Sequence, residues 1–306
     1  TGDLPEFAMY MRGMGGNCKI GIVVNDKSKW LTEADDIQTI YRPGSMLYEI
    51  KDKLLQNGSV HLHVLAMAEA DGMIIKINTR NVPSNLTFVI AYGGATGKKF
   101  SRDGDIGADP ESSFYLQPDY CKDNEYSIEQ NTFRLYYGFT KALTDDERYE
   151  IQYGKAPDTT KKDKPKLISG IFPKGSLLKT GDAQEQASPV RLQKSKPSES
   201  MPVLVATYNN AGNKTLYVAM NKDSLIADDA LLPDLFAKAQ AARNKVAKRI
   251  VLETPDKYIN PLGSALAIAA DAIWETPSFL HGSIAWRMRL PAWRGAYSAD
   301  ALGWHD

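Results

Sequence analysis

The C-terminal segment of this chain concentrates aromatic and charged side chains that could bind a sugar. Three of the five tryptophans lie within residues 286–304. Flat apolar rings stack on the C–H faces of sugars, and Arg, Asp and His side chains can make charge-assisted hydrogen bonds to hydroxyl groups. The predicted carbohydrate-binding residues of this segment are Trp293, Arg294, Tyr297, Asp300, Trp304 and His305. The alternative interpretation is that these side chains pack at an interface between domains.

A second polar segment could reach the same ligand from elsewhere in the chain. Arg102, Asp103 and Asp105 lie in a glycine-rich loop that continues to Glu111. The density of acids resembles a calcium loop, but the twelve-residue pattern of such a loop is not present. Three interpretations stay open: a calcium loop, a solvated loop, and a long loop that reaches over a neighbouring domain. Under the third, these three residues contact carbohydrate.

The run Gly93–Lys99 superficially resembles a phosphate-binding loop. Its spacing is one residue too short, and Lys99 stands where Ser or Thr would bind magnesium. We therefore predict no nucleotide site.

Histidines and cysteines indicate neither a metal site nor a cofactor. His61 and His63 share one face of a predicted strand, but a third ligand is not evident, so both are predicted to be ordinary strand residues. The two cysteines, Cys18 and Cys121, form no Cys-x-x-Cys motif. We expect two free thiols, although one disulfide is possible.

Residues 1 to about 225 have the pattern of an antiparallel β-structure. Short runs rich in Val, Ile, Tyr, Phe and Thr are separated by turn residues, and Asp71-Gly72 predicts a hairpin. Between residues 60 and 67, apolar side chains at 60, 62, 64 and 66 alternate with a second face. Many short strands without interleaved helices predict a sandwich rather than a doubly wound sheet. The predicted strands are 19–24, 45–50, 60–67, 73–77, 87–92, 132–137, 149–153, 203–208 and 215–220.

The composition changes between Lys155 and Ser200. This stretch holds ten basic residues, five acidic residues and five prolines. We expect a long surface excursion or a partly mobile loop. A basic binding patch is the alternative, but interleaved aromatic residues are scarce, which disfavours nucleic acid as its partner.

Helical periodicity begins after Ala227. Apolar residues recur every three or four positions from about Pro233 to Val251, which predicts an amphipathic helix. A second helix is predicted from Asn260, with Asn260 as its N-cap and Pro261 at its first position. Residues 261–274 are apolar nearly all round, so we expect this helix to be covered by further helices outside this chain or by a partner. The chain begins with Thr rather than Met and ends abruptly, which suggests a piece of a longer protein.

Composition excludes several classes of protein. Thirty-seven basic residues balance thirty-seven acidic ones among 306, so the overall charge does not drive binding to nucleic acid or to an anionic membrane. The most apolar stretch, Pro261–Ala270, is far shorter than the roughly 20 residues that a membrane span needs. No nucleic-acid partner and no membrane span are predicted.

Long stretches of this sequence resemble a known family. Residues 254–306, "TPDKYINPLGSALAIAADAIWETPSFLHGSIAWRMRLPAWRGAYSADALGWHD", resemble the start of the helical catalytic domain of large secreted Bacteroidetes proteins related to the six-hairpin glycosidases. The stretches "PEFAMYMRGMGGNCKIGI", "RPGSMLYEI" and "GGATGKKFSRDGDIGADPESSFYL" resemble the N-terminal β-sandwich domain of that family, which is of unknown function.

The resemblance implies an architecture and a function. Residues 1–228 would form a mainly β, antiparallel supersandwich, 229–254 a linker helix, and 255–306 the first helices of an incomplete α/α toroid of six hairpins. The chain would be the N-terminal portion of a glycoside hydrolase acting on a polysaccharide or oligosaccharide, located in the periplasm, at the cell surface or outside the cell. Related enzymes take their catalytic acids from later toroid loops, so no catalytic residue is assigned. The alternative is a non-catalytic carbohydrate-binding or scaffolding sandwich.

Overall fold

Two antiparallel sheets face one another in the computed structural model of the chain. The structure describes residues 2–11, 13–97, 114–139, 154, 165–222, 224–275, 278–279, 297, 299–301 and 303. Within these residues the predicted class is confirmed: the chain is mainly β, with a few helices toward its C-terminus.

The first sheet has six strands in the described part of the chain. Its order is β1-β2-β8-β13-β12, and β3 pairs with β2 off this path. The strands are β1 (Glu6–Tyr10), β2 (Met14–Val24), β3 (Lys27–Trp30), β8 (Thr87–Ala95), β12 (Leu177–Asp182) and β13 (Pro202–Tyr208).

The second sheet has eight described strands in the order β4-β5-β6-β7-β14-β11-β10-β9. They are β4 (Asp36–Arg42), β5 (Ser45–Lys51), β6 (Ser59–Ala66), β7 (Gly72–Arg80), β9 (Asn124–Glu129), β10 (Thr132–Tyr137), β11 (Lys166–Ile171) and β14 (Thr215–Lys222). Consecutive strands β4 to β7 pair as hairpins, whereas β14 enters beside β7 after the chain has crossed to the first sheet and back twice.

Alternation along β6 explains how the second sheet buries two faces. Val60, Leu62 and Val64 point into the core between the sheets and are buried. His63 and Leu65, on the opposite face, lie under a helix instead. Successive side chains of a strand point to opposite faces, as the alternation predicted, and in this strand each face packs against a different layer.

Strand β8 is buried on both faces. Phe88, Ile90 and Tyr92 pack into the core between the sheets. Val89 and Ala91 pack on the outer side, in a smaller cluster with Leu192 of the short helix α1 (Pro189–Lys194). Burial on both faces explains why this strand is a continuous apolar run rather than an alternating one.

Two longer helices follow the sandwich, and the first of them covers the outer face of the second sheet. Helix α2 (Leu232–Ala247) packs Leu232, Phe236 and Ala239 against that sheet. Helix α3 (Asn260–Ala272) packs against α2, and a two-stranded hairpin follows, β15 (Trp274–Glu275) with β16 (Ser278–Phe279). The predicted amphipathic helix is therefore present, although it ends four residues before Val251.

Asn260 does not cap α3 in the predicted way. It is the first residue of the helix, and the preceding Ile259 makes no side-chain cap. The Asn260 Oδ1 instead accepts hydrogen bonds from the Thr254 amide, at 2.8 Å, and from the Thr254 hydroxyl, at 2.9 Å. The prediction was wrong because this side chain closes the loop 254–260, where it finds two donors that do not belong to the helix.

The segment 155–200 is not the surface excursion that its composition predicts, at least from residue 165 onward. Strand β11 lies inside the second sheet between β14 and β10, and its Ile168 and Ile171 are fully buried. The apolar run at 167–171 supplies this strand, while lysines and prolines are concentrated outside it. Residues 155–164 and the predicted strand 149–153 lie outside the described residues.

Helix α3 leaves one apolar face open, as its sequence predicts. Leu262 and Leu266 are 51% and 61% exposed, whereas Gly263, Ala267 and Ala270 are buried. No described helix has the combination of length and apolar character that crossing a membrane demands.

Candidate functional site

A cleft of about 980 Å³ opens at one end of the sandwich. Its walls come from the last residues of β1, the turn between β4 and β5, the end of β6 with the start of β7, and the region just after α3. The cleft thus lies where the sandwich meets the helical part of the chain, and three of its four walls are strand ends or turns of the sandwich.

Aromatic rings line the rim of the cleft. Tyr41 is 55% exposed and Trp274 is 47% exposed. Trp274 is held in place by Phe279 across the hairpin β15–β16, with the two ring centroids 4.7 Å apart. Tyr10 contributes a third ring at the end of β1. Exposed rings that are fixed by their neighbours are suited to stacking on a flat apolar surface.

Methionines form much of the floor. Met9 and Met73 are buried, Met46 is partly buried, and the buried Val64 also lines the cleft. The thioether side chain is flexible and polarizable, so it adapts to irregular ligand surfaces. The floor is therefore apolar and can change shape.

Charged side chains are few among the described residues that line this cleft. Asp71 and Lys222 stand at one side, where the backbone amide of Lys222 donates to the carbonyl of Asp71 at 2.8 Å. Among the described residues that line the cleft, Asp71 is the single carboxylate. Hydrolysis of a glycosidic bond usually needs two carboxylates on either side of the bond, so the described lining can bind a ligand but does not hold this catalytic pair.

The residues predicted from sequence fall largely outside the described part. Those outside it are Arg102, Asp103, Asp105, Trp293, Arg294, Trp304 and His305. Tyr297 and Asp300 are described, and both are exposed. The role of all nine residues in binding carbohydrate stays a prediction. The cleft residues were not predicted, although Pro43-Gly44 and Asp71-Gly72 are turn signals that mark two of its walls.

The glycine-rich run before the predicted loop belongs to strand β8. Gly93 and Gly94 are buried, and Gly94 has φ +73, a conformation that glycine adopts without strain. The buried Asn124 side chain holds this stretch: its Oδ1 accepts from the amides of Gly94 and Ala95, and its Nδ2 donates to the Ala95 carbonyl at 2.6 Å.

The end of that run lies close to the cleft. The amides of Thr96 and Gly97 both donate to the carbonyl of Met14. Gly97 also lies against Gly13, whose carbonyl accepts a hydrogen bond from the amide of Met11, a residue that lines the cleft. The chain therefore enters the predicted loop at the same end of the sandwich from which the cleft opens.

A buried carboxylate on the first sheet binds the chain at Leu116, just after the predicted loop. Glu6 on β1 accepts from the backbone amide of Leu116, and its other oxygen lies 3.9 Å from the Lys19 ammonium. Burial raises the pKa of Glu6, and the Lys19 charge and the Leu116 amide oppose that rise. Both ends of the segment 98–113 are thus anchored on the first sheet.

Neither the histidines nor the cysteines form a metal site within the described residues. His61 lies 2.8 Å from the Ser59 hydroxyl, and His63 packs edge-on against Phe236. Cys18 and Cys121 are both buried free thiols, as expected. Burial raises the pKa of Cys121 to about 12, so this thiol is protonated at neutral pH.

A family model described as "Domain of unknown function (DUF4450)" matches residues 11–240. The chain belongs to this family. The matched part of this DUF4450 chain includes every described strand from β2 to β14 and the first half of α2. It therefore contains most of the cleft lining, but not Ala8, Met9, Tyr10 or Trp274. No curated protein matches the sequence.

Two solved structures are similar to the DUF4450 chain over part of their length. The GH92 family glycosyl hydrolase ccman5 is 8% identical with a TM-score of 0.39, over 76% of this chain and 28% of its own. A bacterial glucoamylase complexed with acarbose is 8% identical with a TM-score of 0.40, over 84% of this chain and 34% of its own. The chain thus spans about a third or less of each of these proteins.

Proposed function

We propose that this chain is the N-terminal portion of a glycoside hydrolase that acts on a complex polysaccharide or oligosaccharide. In this proposal the sandwich supports a helical catalytic domain and supplies one wall of the carbohydrate site. The observation that carries it is the cleft between the sandwich and the helices, because its exposed rings, Tyr41 and Trp274, lie where the two parts meet.

The open face of α3 supports the same proposal. Leu262 and Leu266 expose apolar surface on a helix that already packs against α2 on its other side. Further helices of a catalytic domain would cover this face, since apolar surface is stabilised by removal from water. The sequence resemblance to six-hairpin glycosidases, which covers residues 254–306, suggests the same arrangement. It also suggests a location in the periplasm, at the cell surface or outside the cell.

The predicted carbohydrate-binding residues complete the proposed site. Trp293, Arg294, Tyr297, Asp300, Trp304 and His305 would bind sugar from the helical side. Arg102, Asp103 and Asp105 would reach over from the sandwich, and the anchoring of Gly97 beside the cleft supports this direction of approach.

The test uses the protein expressed from the complete reading frame that encodes this chain. This protein should hydrolyse at least one member of a panel of soluble polysaccharides, measured as released reducing ends. Trp274→Ala and Tyr41→Ala should each lower kcat/KM about tenfold, the effect of about 1.4 kcal/mol of lost binding. Leu177→Ala, at an exposed position 65% accessible to solvent and outside the cleft, is the matched control and should leave the rate unchanged.

A second candidate function is a non-catalytic carbohydrate-binding or scaffolding sandwich. The single carboxylate among the described cleft residues favours it. Binding of a polysaccharide without any hydrolysis, lost in Trp274→Ala, would establish this function in place of the first. Absence of both binding and hydrolysis would contradict both.

A further inference from the structure

A small polar pocket lies between the sandwich and the two helices, beside the cleft that binds carbohydrate in the proposed function. Ser45 and Leu65 line both. Its volume is about 220 Å³, below the range of about 300–1,000 Å³ that is typical of sites for drug-sized ligands. The polar side chains around it are Arg42, Ser45, His63, Gln240, Arg243, Asn244 and Ser264. The sandwich supplies the first three, α2 the next three, and α3 the last.

Two nitrogen atoms at this pocket are buried without a partner. The His63 Nε2 and the Arg243 Nε make no hydrogen bond within the described part of the chain. A buried polar nitrogen without an acceptor costs about 1–3 kcal/mol, so native proteins normally supply one. The two atoms come from different layers of the molecule, His63 from β6 and Arg243 from α2.

The guanidinium group of Arg243 is held in a fixed position. Its Nη1 donates to the Asp271 Oδ2 on α3 at 3.2 Å. Its aliphatic part lies against the turn between β4 and β5, since a β-carbon added to Gly44 would stand 3.1 Å from the Arg243 Cδ. Gly44 has φ +77, and this turn can therefore approach the helix closely. The remaining N–H groups of Arg243 are thus preorganised to meet a ligand.

The charges around the pocket favour an anion. Arg42 and Arg243 are permanent cations, and Arg42 makes no ion pair among the described residues. Lys76 adds a further positive field at His63. Asp271 is the acid that pairs with Arg243, so it neutralises one of these charges and leaves an excess of positive charge. Arginine presents a planar fork of N–H donors that matches the oxygen atoms of phosphate and sulfate.

We propose that this pocket binds a small oxyanion, a phosphate or sulfate group, between Arg42 and His63 of the sandwich and Arg243 of α2. Ser45, Gln240 and Asn244 would add neutral hydrogen bonds. Because the ligand would contact both layers, it would fix α2 against the β4–β5 hairpin. The group could be a free ion or the terminal group of a phosphorylated sugar, since both present the same oxygen atoms.

Thermal unfolding and calorimetric titration of the chain 1–306 test the proposal. Sodium phosphate and sodium sulfate are compared with sodium chloride at equal ionic strength. We expect saturable binding of phosphate or sulfate and a saturable rise in Tm that chloride does not produce. Arg243→Gln and Arg42→Gln should each weaken the binding about tenfold or more, because each removes a charge-assisted hydrogen bond. Arg42 makes no ion pair in the described structure, so its variant tests the site even if loss of the Asp271 pair unfolds Arg243→Gln.

Lys238→Gln is the matched control, since Lys238 lies on the exposed side of the same helix and does not line the pocket. It should bind like the unmodified chain, and any general stabilisation by sulfate should be the same in all variants. Tighter binding of glucose 6-phosphate than of inorganic phosphate would identify the terminal group of a larger ligand, whereas weaker binding would identify a free ion. Absence of saturable binding, or equal binding by Arg42→Gln and Lys238→Gln, would overturn the proposal.

Discussion

The carbonyl carbon of Gly97 lies 2.8 Å from the point at which a β-carbon on Gly13 would stand. This close approach joins the turn after β1 to the end of the glycine-rich run, at the end of the sandwich that carries the cleft. It requires glycine at position 13, because any other side chain would overlap the backbone of Gly97.

Replacement of Gly13 by Ala should destabilise the chain by about 2 kcal/mol or more. The added β-carbon meets backbone, which cannot rotate away, and Gly13 has φ +147, where alanine is strained. Urea unfolding followed by circular dichroism measures the loss. Gly175→Ala is the control, because Gly175 has φ +91 but no neighbour within 4 Å. If both variants lose the same stability, the contact with Gly97 contributes nothing.

Asn124→Ala should cost about 2–4 kcal/mol of unfolding free energy. The change leaves the buried amides of Gly94 and Ala95 and the Ala95 carbonyl without partners, and each such group is costly. Asn85→Ala removes an exposed hydrogen bond to Asn25 and should change stability by no more than about 0.5 kcal/mol. Denaturant titration of both variants compares them, and a loss for Asn124→Ala as small as that for Asn85→Ala would contradict the role of this side chain.

Stability should fall as the pH falls from about 7 to about 5, partly through His63. Burial lowers the pKa of His63, and the positive charges of Arg42 and Lys76 lower it further. A depressed folded-state pKa contributes stability above the unfolded value of about 6.5, and this contribution is lost as the pH falls through the folded value.

His63→Gln should therefore lose less stability over this range than the unmodified chain. The measurement is urea unfolding at several pH values in chloride buffers that contain no phosphate or sulfate. Burial also lowers the pKa of His61. The stability of the double variant His61→Gln, His63→Gln should therefore depend even less on pH. Parallel pH profiles for all three proteins would show that neither histidine is responsible.

The chain 1–306 by itself should hydrolyse no glycoside at a measurable rate. Asp71 is the single carboxylate among the described cleft residues, and hydrolysis usually needs two. Release of reducing ends from a polysaccharide panel is the measurement. Robust turnover that Asp300→Asn abolishes would show that the catalytic acids lie within this chain.

The open face of α3 should tolerate a charge. Leu266→Glu should change the unfolding free energy of the chain by about 0.5 kcal/mol or less, because Leu266 is 61% exposed. Ala267→Glu, one position along, should cost about 3 kcal/mol or more, since Ala267 is fully buried. Equal losses in both variants would mean that the face at Leu266 is covered in solution.

The sequence by itself determined the class of fold and the burial of particular strands. The alternation along β6 predicted which of its side chains share a face, because successive side chains of a strand point to opposite sides. The three-to-four-residue period after Ala227 predicted α2, since this spacing places its apolar residues on one face. The two free cysteines also followed from sequence, as neither lies in a motif that requires a partner.

Only the tertiary structure decided which distant residues meet. Tyr41, Asp71 and Trp274 line one cleft although more than 200 residues separate the first from the last, and no local pattern encodes that contact. The composition of residues 155–200 did not predict strand β11, because it averages over many lysines and prolines. The strand itself has only six residues. Asn260 was assigned as a cap from its type, yet its side chain closes a loop with Thr254, since a polar group bonds to whichever donors the folded chain brings within reach.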